Sequence, residues 1–283
     1  MRCYNKTDFG FYNIPAEKFY YVRIAAMTSQ LMWTLIPAFI FGACVGSFLN
    51  VCIHRIPRNT SIVSPGSACP ACGTPIPFYA NIPVISFLAL RGRCLFCGTA
   101  ISRRYPLVEV LTGTVGVLVC MRFGLTPDAV VWFAFAATLL LVSFIDLDFH
   151  IIPDRISIPG IAIFALLAHV VLDMPVSAIG YGILAGGGIL YFVALAYYLI
   201  RRQEGMGGGD IKLLAMIGAA TGVPGVLFTL FAGSLLGTAA GIAGMVINPK
   251  NGGQMRIPFG PFLSAGALLY VFFGNFLIRW YLY

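Results

Sequence analysis

The sequence predicts an all-α polytopic membrane protein with about eight transmembrane helices and a small zinc-knuckle domain. Of its 283 residues, 59% are hydrophobic and only 10% are charged, whereas about a quarter of the residues in soluble domains are charged. The apolar residues form long blocks rather than alternating with polar ones, which favours helices over a membrane barrel. The third observation is a pair of Cys-x-x-Cys motifs inside the one long polar stretch.

The predicted elements divide the chain into four parts. A polar and aromatic N-terminal tail, 1–29, precedes the first transmembrane helix, 30–53, which contains no charged residue and is long enough to cross a hydrocarbon core of about 30 Å. Residues 54–105 form the only sizeable polar segment. The remainder, 106–283, is predicted to be a seven-helix membrane domain with spans at 106–122, 128–146, 156–173, 176–200, 210–222, 224–247 and 259–280.

Positive charges predict the orientation in the membrane. The loops on the side of 54–105 contain twelve Lys and Arg residues, and the segments on the opposite side contain two, with the N-terminal tail left out. The positive-inside rule therefore places the polar segment in the cytoplasm. The same rule accounts for the net charge of +8, and no basic patch interleaved with aromatic residues indicates a nucleic-acid partner.

Four of the eight cysteines form two knuckles, Cys69-Pro-Ala-Cys72 and Cys94-Leu-Phe-Cys97, each followed by glycine. Two such turns aim four thiolates at one point, which is the closed tetrahedral site of structural zinc. A reducing cytoplasm favours a metal over disulfides. We expect one structural Zn²⁺ per chain, and redox chemistry of the Cys-x-x-Cys motifs is the alternative.

Two aspartates lie at membrane boundaries that the predicted topology puts on the same side: Asp146 ends the third span and Asp210 opens the sixth. Carboxylates at membrane depth are costly and indicate function. Two neighbouring carboxylates share a proton, so one can activate a water while the other protonates a peptide carbonyl. Lys212 either snorkels or pairs with a nearby carboxylate. Three residues before Asp210 leave room for an extended substrate backbone: Gly207, Gly208 and Gly209.

The residues alone leave two other classes of protein open. Asp146 by itself is equally explained as a helix cap or a proton-relay group, so a proton-coupled membrane transporter with a zinc-knuckle domain is one alternative. A membrane-anchored zinc-knuckle binding module is the other, but it gives Asp146 and Asp210 no role. Transport by the protein in liposomes would indicate a transporter, and proteolytic activity would exclude both the transporter and the binding module.

Five ordered motifs resemble those of the type IV prepilin peptidases, and the resemblance runs from about Phe41 to the C-terminus. They are Gly46-Ser-Phe-Leu-Asn-Val51 with Arg55-Ile-Pro57, the two cysteine knuckles, Arg104-Tyr-Pro-Leu-Val-Glu109, Asp146 with Pro153, and Gly207-Gly-Gly-Asp210 with Lys212. The resemblance implies an aspartic endopeptidase of the GxGD class in which Asp146 and Asp210 are the catalytic pair.

The same resemblance implies a substrate and a second activity. Members of the family cut the basic leader from type IV prepilins and pseudopilins after a glycine, on the cytoplasmic side of the bacterial inner membrane. The cysteine-rich domain resembles that of bifunctional members, which then methylate the new N-terminal residue from S-adenosylmethionine. The family pattern gives five candidates for methyl transfer: Gly46, Asn50, Arg55, Arg104 and Glu109. Glu109 is the strongest, because an acidic group near the membrane interface can bind an α-ammonium group.

Overall fold

The computed structural model describes residues 16–203, 207–247 and 258–282, and it describes side chains in 33–203, 207–247 and 258–274. The described residues form a 3₁₀ helix, Phe78–Asn81, and eight α-helices. The α-helices are α1 Ala16–Arg55, α2 Ile85–Ala89, α3 Arg104–Phe123, α4 Pro127–Phe149, α5 Asp154–Val170, α6 Val176–Arg201, α7 Gly208–Ile247 and α8 Gly260–Leu282. Strands are absent from this part of the chain, which confirms the predicted all-α class.

Five of these helices are long and apolar enough to cross a membrane: α1 from Trp33 onward, α3, α4, α6 and α7. At 1.5 Å per residue, the 40 residues of α7 extend about 60 Å, twice the thickness of a hydrocarbon core. The helix is broken at Gly222, whose φ of 68° lies in the left-handed region. This break coincides with the predicted boundary between spans 210–222 and 224–247. The eight predicted segments therefore correspond to α1, α3 to α6, the two halves of α7, and α8.

The first helix begins earlier than predicted. It starts at Ala16 rather than at residue 30, and its part Trp33–Arg55 is long and apolar enough to cross a membrane. Of the predicted tail, residues 1–15 lie outside the described residues.

The helices pack into two groups that share α4. Helices α4 to α8 enclose the larger core, in which Phe135 and Leu263 are fully buried. Helices α1 and α3 pack on another side of α4 around Ile53. Close approach of α6 to α7 depends on glycine, because a Cβ atom added at Gly182 would overlap the carbonyl oxygen of Gly218. Small residues commonly permit such backbone contact between membrane helices.

The segments that carry the predicted site residues meet at one end of the bundle. Helix α1 ends and α3 begins at the extramembrane cysteine domain. Arg104 at the start of α3 forms an ion pair with Asp148 near the end of α4. Gly260 at the start of α8 donates a backbone hydrogen bond to Asp146 of α4. Gly209, which precedes Asp210 in α7, packs against Ile152 just after the end of α4. The cysteine domain and both predicted aspartates therefore lie at the same end of the protein.

Candidate active site

Asp146 lies in the last turn of α4 and is only 6% exposed. The helix ends at His150, which adopts the left-handed conformation with φ 56° and donates its backbone N–H to the Asp146 carbonyl at 2.9 Å. Histidine is one of the non-glycine residues that adopt this conformation more often than most. The chain then turns back, and Ile152 is buried beside the end of α4.

Gly260 is the third residue of this site and was not predicted from the sequence. Its backbone N–H donates to Asp146 Oδ2 at 3.0 Å across 114 residues of chain. A Cβ atom at this position would lie 2.6 Å from the same oxygen and 3.2 Å from Ile152, so the contact requires glycine. Pro258 and Pro261 mark the start of α8 in the sequence, since proline favours helix starts, but no sequence signal connects them to Asp146.

Asp210 is half-buried in the first turn of α7, where the positive end of the helix dipole stabilises a carboxylate. Its neighbour Gly209 faces Ile152, because an added Cβ would lie 2.8 Å from the Cβ of Ile152. Ile152 thus touches both Gly209 and Gly260. The structure therefore brings Asp146 and Asp210 to one small region, close enough for their charges to interact.

The three glycines before Asp210 have different surroundings. Gly209 contacts Ile152, but among the described residues a Cβ atom added at Gly207 or Gly208 would meet no other atom within 4 Å. Open space therefore lies beside the backbone that leads into Asp210. This is the space that an extended peptide would need to approach the carboxylates.

Lys212 pairs with a carboxylate, the second of the two alternatives predicted for it. Its Nζ donates to Asp154 Oδ1 at 2.6 Å, which joins the first turn of α7 to the first residue of α5. Both side chains are at least one third exposed, so the pair contributes about 0–1 kcal/mol to stability. The ion pair supports the site by holding α7 beside α5, and not through a contact between Lys212 and the two catalytic candidates.

The four cysteines of the knuckles form one cluster. The Sγ atoms of Cys69, Cys72, Cys94 and Cys97 all lie within 4.8 Å of one another. The Sγ atoms of Cys69 and Cys97 are 3.8 Å apart. Tetrahedral coordination with a Zn–S distance of about 2.3 Å separates sulfur atoms by about 3.8 Å. The cluster therefore fits a four-coordinate zinc ion.

The two knuckles have the same backbone geometry. Gly73 and Gly98 both have φ 69°, and each donates its N–H to the carbonyl of the first cysteine of its motif, at 2.8 and 3.0 Å. A threonine follows each glycine, and the hydroxyl of Thr99 lies 3.3 Å from Cys97 Sγ. Hydrogen bonding from this hydroxyl lowers the pKa of Cys97 to about 6, which favours the thiolate that a metal binds.

A cavity of about 1020 Å³ lies between the end of α1, the start of α3 and the cysteine domain. Three of the predicted methyl-transfer residues line it: Asn50, Arg55 and Glu109. Asn50 Nδ2 donates to the Tyr105 carbonyl at 3.0 Å. Glu109 is 8% exposed, and its Oε2 accepts the backbone N–H of Val84 at 2.7 Å. Arg55 donates to two backbone carbonyls of the loop that begins the cysteine domain.

The other two methyl-transfer candidates do not line this cavity. Gly46 lies in the contact between α1 and α3, where an added Cβ would be 2.8 Å from the Cα of Glu109. Arg104 forms the ion pair with Asp148. Since Asp148 lies two residues after Asp146 and Arg104 lies five residues before Glu109, this ion pair joins the segments that carry the carboxylate pair and the cavity.

The fold and the site together define a polytopic helical membrane protein with an aspartate pair and a four-cysteine domain at one end of its bundle. Residues 40–123 match the bacterial peptidase A24 N-terminal domain, and residues 133–242 match the type IV leader peptidase family. The chain belongs to the type IV leader peptidase family.

Relatives from several bacteria support this assignment, and each is described as a prepilin leader peptidase/N-methyltransferase. The relative from Aeromonas salmonicida (strain A449) is 37% identical over an alignment of 277 positions that takes in 86% of this chain and 92% of the relative. The relative from Pseudomonas aeruginosa is 34% identical, with 86% and 91% covered. The relative from Neisseria gonorrhoeae is 33% identical, with 80% and 86% covered. No solved structure matches the chain significantly.

Proposed function

We propose that this protein is a membrane aspartic endopeptidase that cleaves the basic leader from type IV prepilins and pseudopilins after glycine, and then methylates the new N-terminal residue. The observation that carries the peptidase proposal is that Gly260, which holds Asp146, and Gly209, which precedes Asp210, both pack against Ile152. The names of the relatives support both activities. None of these observations favours the transporter alternative.

In the proposed reaction the two aspartates act as one unit with a shared proton. One aspartate, as a carboxylate, takes a proton from a water, and the oxygen of that water attacks the scissile carbonyl while the other aspartate gives the shared proton to the carbonyl oxygen. The C–N bond then breaks: the first aspartate passes the proton from water to the leaving amine, and the second takes a proton back from a hydroxyl of the intermediate. Gly260 fixes the orientation of Asp146 by holding Oδ2. The open side of Gly207 and Gly208 admits the extended substrate.

Cleavage of a purified prepilin by the purified full-length protein, followed by mass spectrometry, tests the peptidase proposal. We expect Asp146→Asn and Asp210→Asn each to abolish release of the leader, because each leaves a single carboxylate. Asp173→Asn is the matched control, since Asp173 is exposed in the loop at the other end of α5 and its substitution leaves cleavage unchanged. Continued cleavage by either site variant would refute the proposed pair.

The proposed domain division is a zinc domain at 54–105 and a membrane peptidase domain at 106–283. Cys69, Cys72, Cys94 and Cys97 would hold one zinc ion, and four thiolates leave no coordination position for a substrate. The role of the zinc is therefore structural: it fixes the two knuckles and the loops between them. The domain and the active site face the cytoplasm of a bacterial inner membrane in this proposal, in keeping with the distribution of positive charge.

The cavity beside the zinc domain is the proposed site of methyl transfer. Its volume of about 1020 Å³ is at the upper end of the range for small-molecule sites, roughly 300–1,000 Å³, and S-adenosylmethionine supplies the methyl group there. Glu109 binds the α-ammonium group of the cleaved pilin and takes up the proton that the nitrogen must lose before it attacks. Asn50 and Arg55 hold the walls of the cavity through their backbone hydrogen bonds.

Glu109→Gln separates this role from a purely structural one. Glutamine retains an oxygen that accepts the Val84 N–H, but it removes the negative charge. We expect this variant to cleave the prepilin normally and to yield a product that lacks the mass of one methyl group. Asp128→Asn, at the opposite end of α4, is the control and should yield methylated product. Full methylation by Glu109→Gln would exclude the proposed role of Glu109.

A further inference from the structure

The segment between the two knuckles, Phe78–Leu88, has two different faces. One face lines the cavity through residues such as Ala80 and Phe87. The opposite face, called the outer face here, is apolar and exposed, and its side chains do not line the cavity. It consists of Phe78 (87% exposed), Tyr79, Ile82, Ile85 (64% exposed) and Leu88 (70% exposed). An apolar patch of this kind on an extramembrane domain marks an interaction surface.

The segment is tied to a position inside a membrane span. The backbone N–H of Val84 donates to Glu109 Oε2 at 2.7 Å, and Glu109 lies five residues after the start of α3 at Arg104. At 1.5 Å per residue this is about 7.5 Å along the helix. The 20 residues of α3 extend about 30 Å, which is the thickness of the hydrocarbon core of a bilayer. If α3 crosses the membrane from Arg104 onward, the middle of the segment lies about 7.5 Å deeper in the membrane than Arg104.

The conformation of Val84 supports a constrained attachment at this point. Its φ of 62° lies in the left-handed region, which a β-branched residue adopts only rarely. Val84 is also the N-cap of α2. The hydrogen bond to Glu109 therefore holds the chain at the point where α2 starts. The segment therefore has a fixed depth and orientation relative to α3.

The charge of the surrounding domain indicates which partner covers the outer face. No residue between His54 and Arg104 is acidic, and Arg91 and Arg93, both exposed, follow the segment directly. Basic residues beside a membrane are attracted to anionic lipid headgroups, and apolar side chains of an interfacial element enter the membrane by about 5–10 Å. The depth set by Glu109 falls within this range.

We propose that Phe78–Leu88 is an interfacial membrane anchor, whose outer face lies among the acyl chains of an anionic phospholipid bilayer. Its other face then separates the cavity from lipid, and the anchor holds the cysteine domain against the membrane. This inference depends on the depth, polarity and charge of the segment and not on either proposed activity.

Tryptophan fluorescence in vesicles tests the anchor. The full-length protein is freed of its own tryptophans by changing Trp33, Trp132 and Trp280 to Phe, and Ile85→Trp then places one probe on the outer face. Pro75→Trp is the control, on an exposed residue of the first knuckle that does not line the cavity. Both are reconstituted in phosphatidylcholine and phosphatidylglycerol vesicles, with and without bromine on the acyl chains.

We expect Ile85→Trp to emit at shorter wavelength than Pro75→Trp and to be quenched by the brominated lipid, at a depth of about 5–10 Å below the headgroup boundary. Pro75→Trp should be quenched by aqueous iodide instead. Water-like emission of Ile85→Trp without lipid quenching would overturn the proposal. So would a blue shift that occurs only when prepilin is added, since the substrate would then cover the outer face. Leu88→Trp makes the same measurement if Ile85→Trp does not fold.

Discussion

The membrane core around Asp146 and the cysteine domain are held together in different ways. In the core, large apolar side chains such as Phe135, Leu213 and Leu263 are fully buried between helices. In the described cysteine domain, between Ile56 and Arg103, the only buried residue is Cys69. Dense packing therefore stabilises the first region, whereas the second has almost no core and depends on the cysteine cluster.

This difference corresponds to what each region does in the proposed function. A peptidase site needs two carboxylates held in one geometry, and rigid helices in a packed core provide that. The cysteine domain encloses a large cavity, which a packed core would fill. A single metal ion held by the four clustered cysteines would fix the surrounding loops and leave the space between them open. Four predictions test this comparison, in order of decreasing effect.

The largest effect is expected from Cys72→Ser. Because the domain has almost no core, loss of one ligand should abolish zinc binding and collapse the wall of the cavity. We expect zinc content to fall from one ion per chain to none by elemental analysis, and methylation to be lost while the membrane core remains folded. Cys120→Ser, a half-buried residue of α3 away from the cluster, is the control. Undiminished zinc in Cys72→Ser would contradict the comparison.

The membrane core should respond to a loss of packing instead. Phe135 is fully buried, and its ring lies 5.1 Å from that of Phe164, so Phe135→Ala should lower the free energy of unfolding by about 3–5 kcal/mol. Phe96→Ala, which removes a 57% exposed ring of the second knuckle, should have little effect. Thermal unfolding of the two variants in the same detergent measures the difference, and equal shifts would show that the two regions are not stabilised differently.

A smaller and local effect is expected at the contact between α8 and α4. Gly260→Ala places a methyl group against Asp146 Oδ2 and displaces the carboxylate. A displacement of about 1 Å lowers a reaction rate by about 10²-fold, so we expect a loss of this size in leader cleavage with little change in unfolding temperature. Gly188→Ala is the control, because its added methyl would meet no other atom of the described residues within 4 Å. A normal cleavage rate in Gly260→Ala would exclude the positioning role of this contact.

The smallest effect is a change in the pH dependence of metal binding. Hydrogen bonds from the hydroxyl of Thr99, foremost, and from its backbone N–H lower the pKa of Cys97 to about 6, so the thiolate form is favoured above that pH and is lost as the pH falls through it. Thr99→Val raises this pKa, and protons then compete with the metal at higher pH. We expect zinc release on acidification to move to higher pH, measured with a chromogenic chelator.

Thr114→Val is the matched control for that measurement, since the Thr114 hydroxyl bonds only to the Val110 carbonyl of its own helix among the described contacts. Leader cleavage measured over the same pH range should not follow the zinc curve. An unchanged release curve in Thr99→Val would show that the threonine does not control the thiolate.

Sequence alone was enough to predict the helical membrane class, the position of the break in α7, and the four cysteines that cluster. Hydropathy and motif spacing are local properties, and each of these features is encoded within a short stretch of chain. The sequence also predicts that the two aspartates lie on the same side of the membrane, because the distribution of positive charge predicts on which side each helix ends.

Which residues surround the aspartates and the methyl-transfer candidates depends on how the helices pack. The hydrogen bond from Gly260 to Asp146 spans 114 residues, and it exists because α8 packs on α4, which no local pattern specifies. The surroundings of the five methyl-transfer candidates also depend on helix packing. Three of them line the cavity, whereas Arg104 pairs with Asp148. Spacing along a helix specifies which face a residue occupies, but the packing of one helix on another specifies what that face meets.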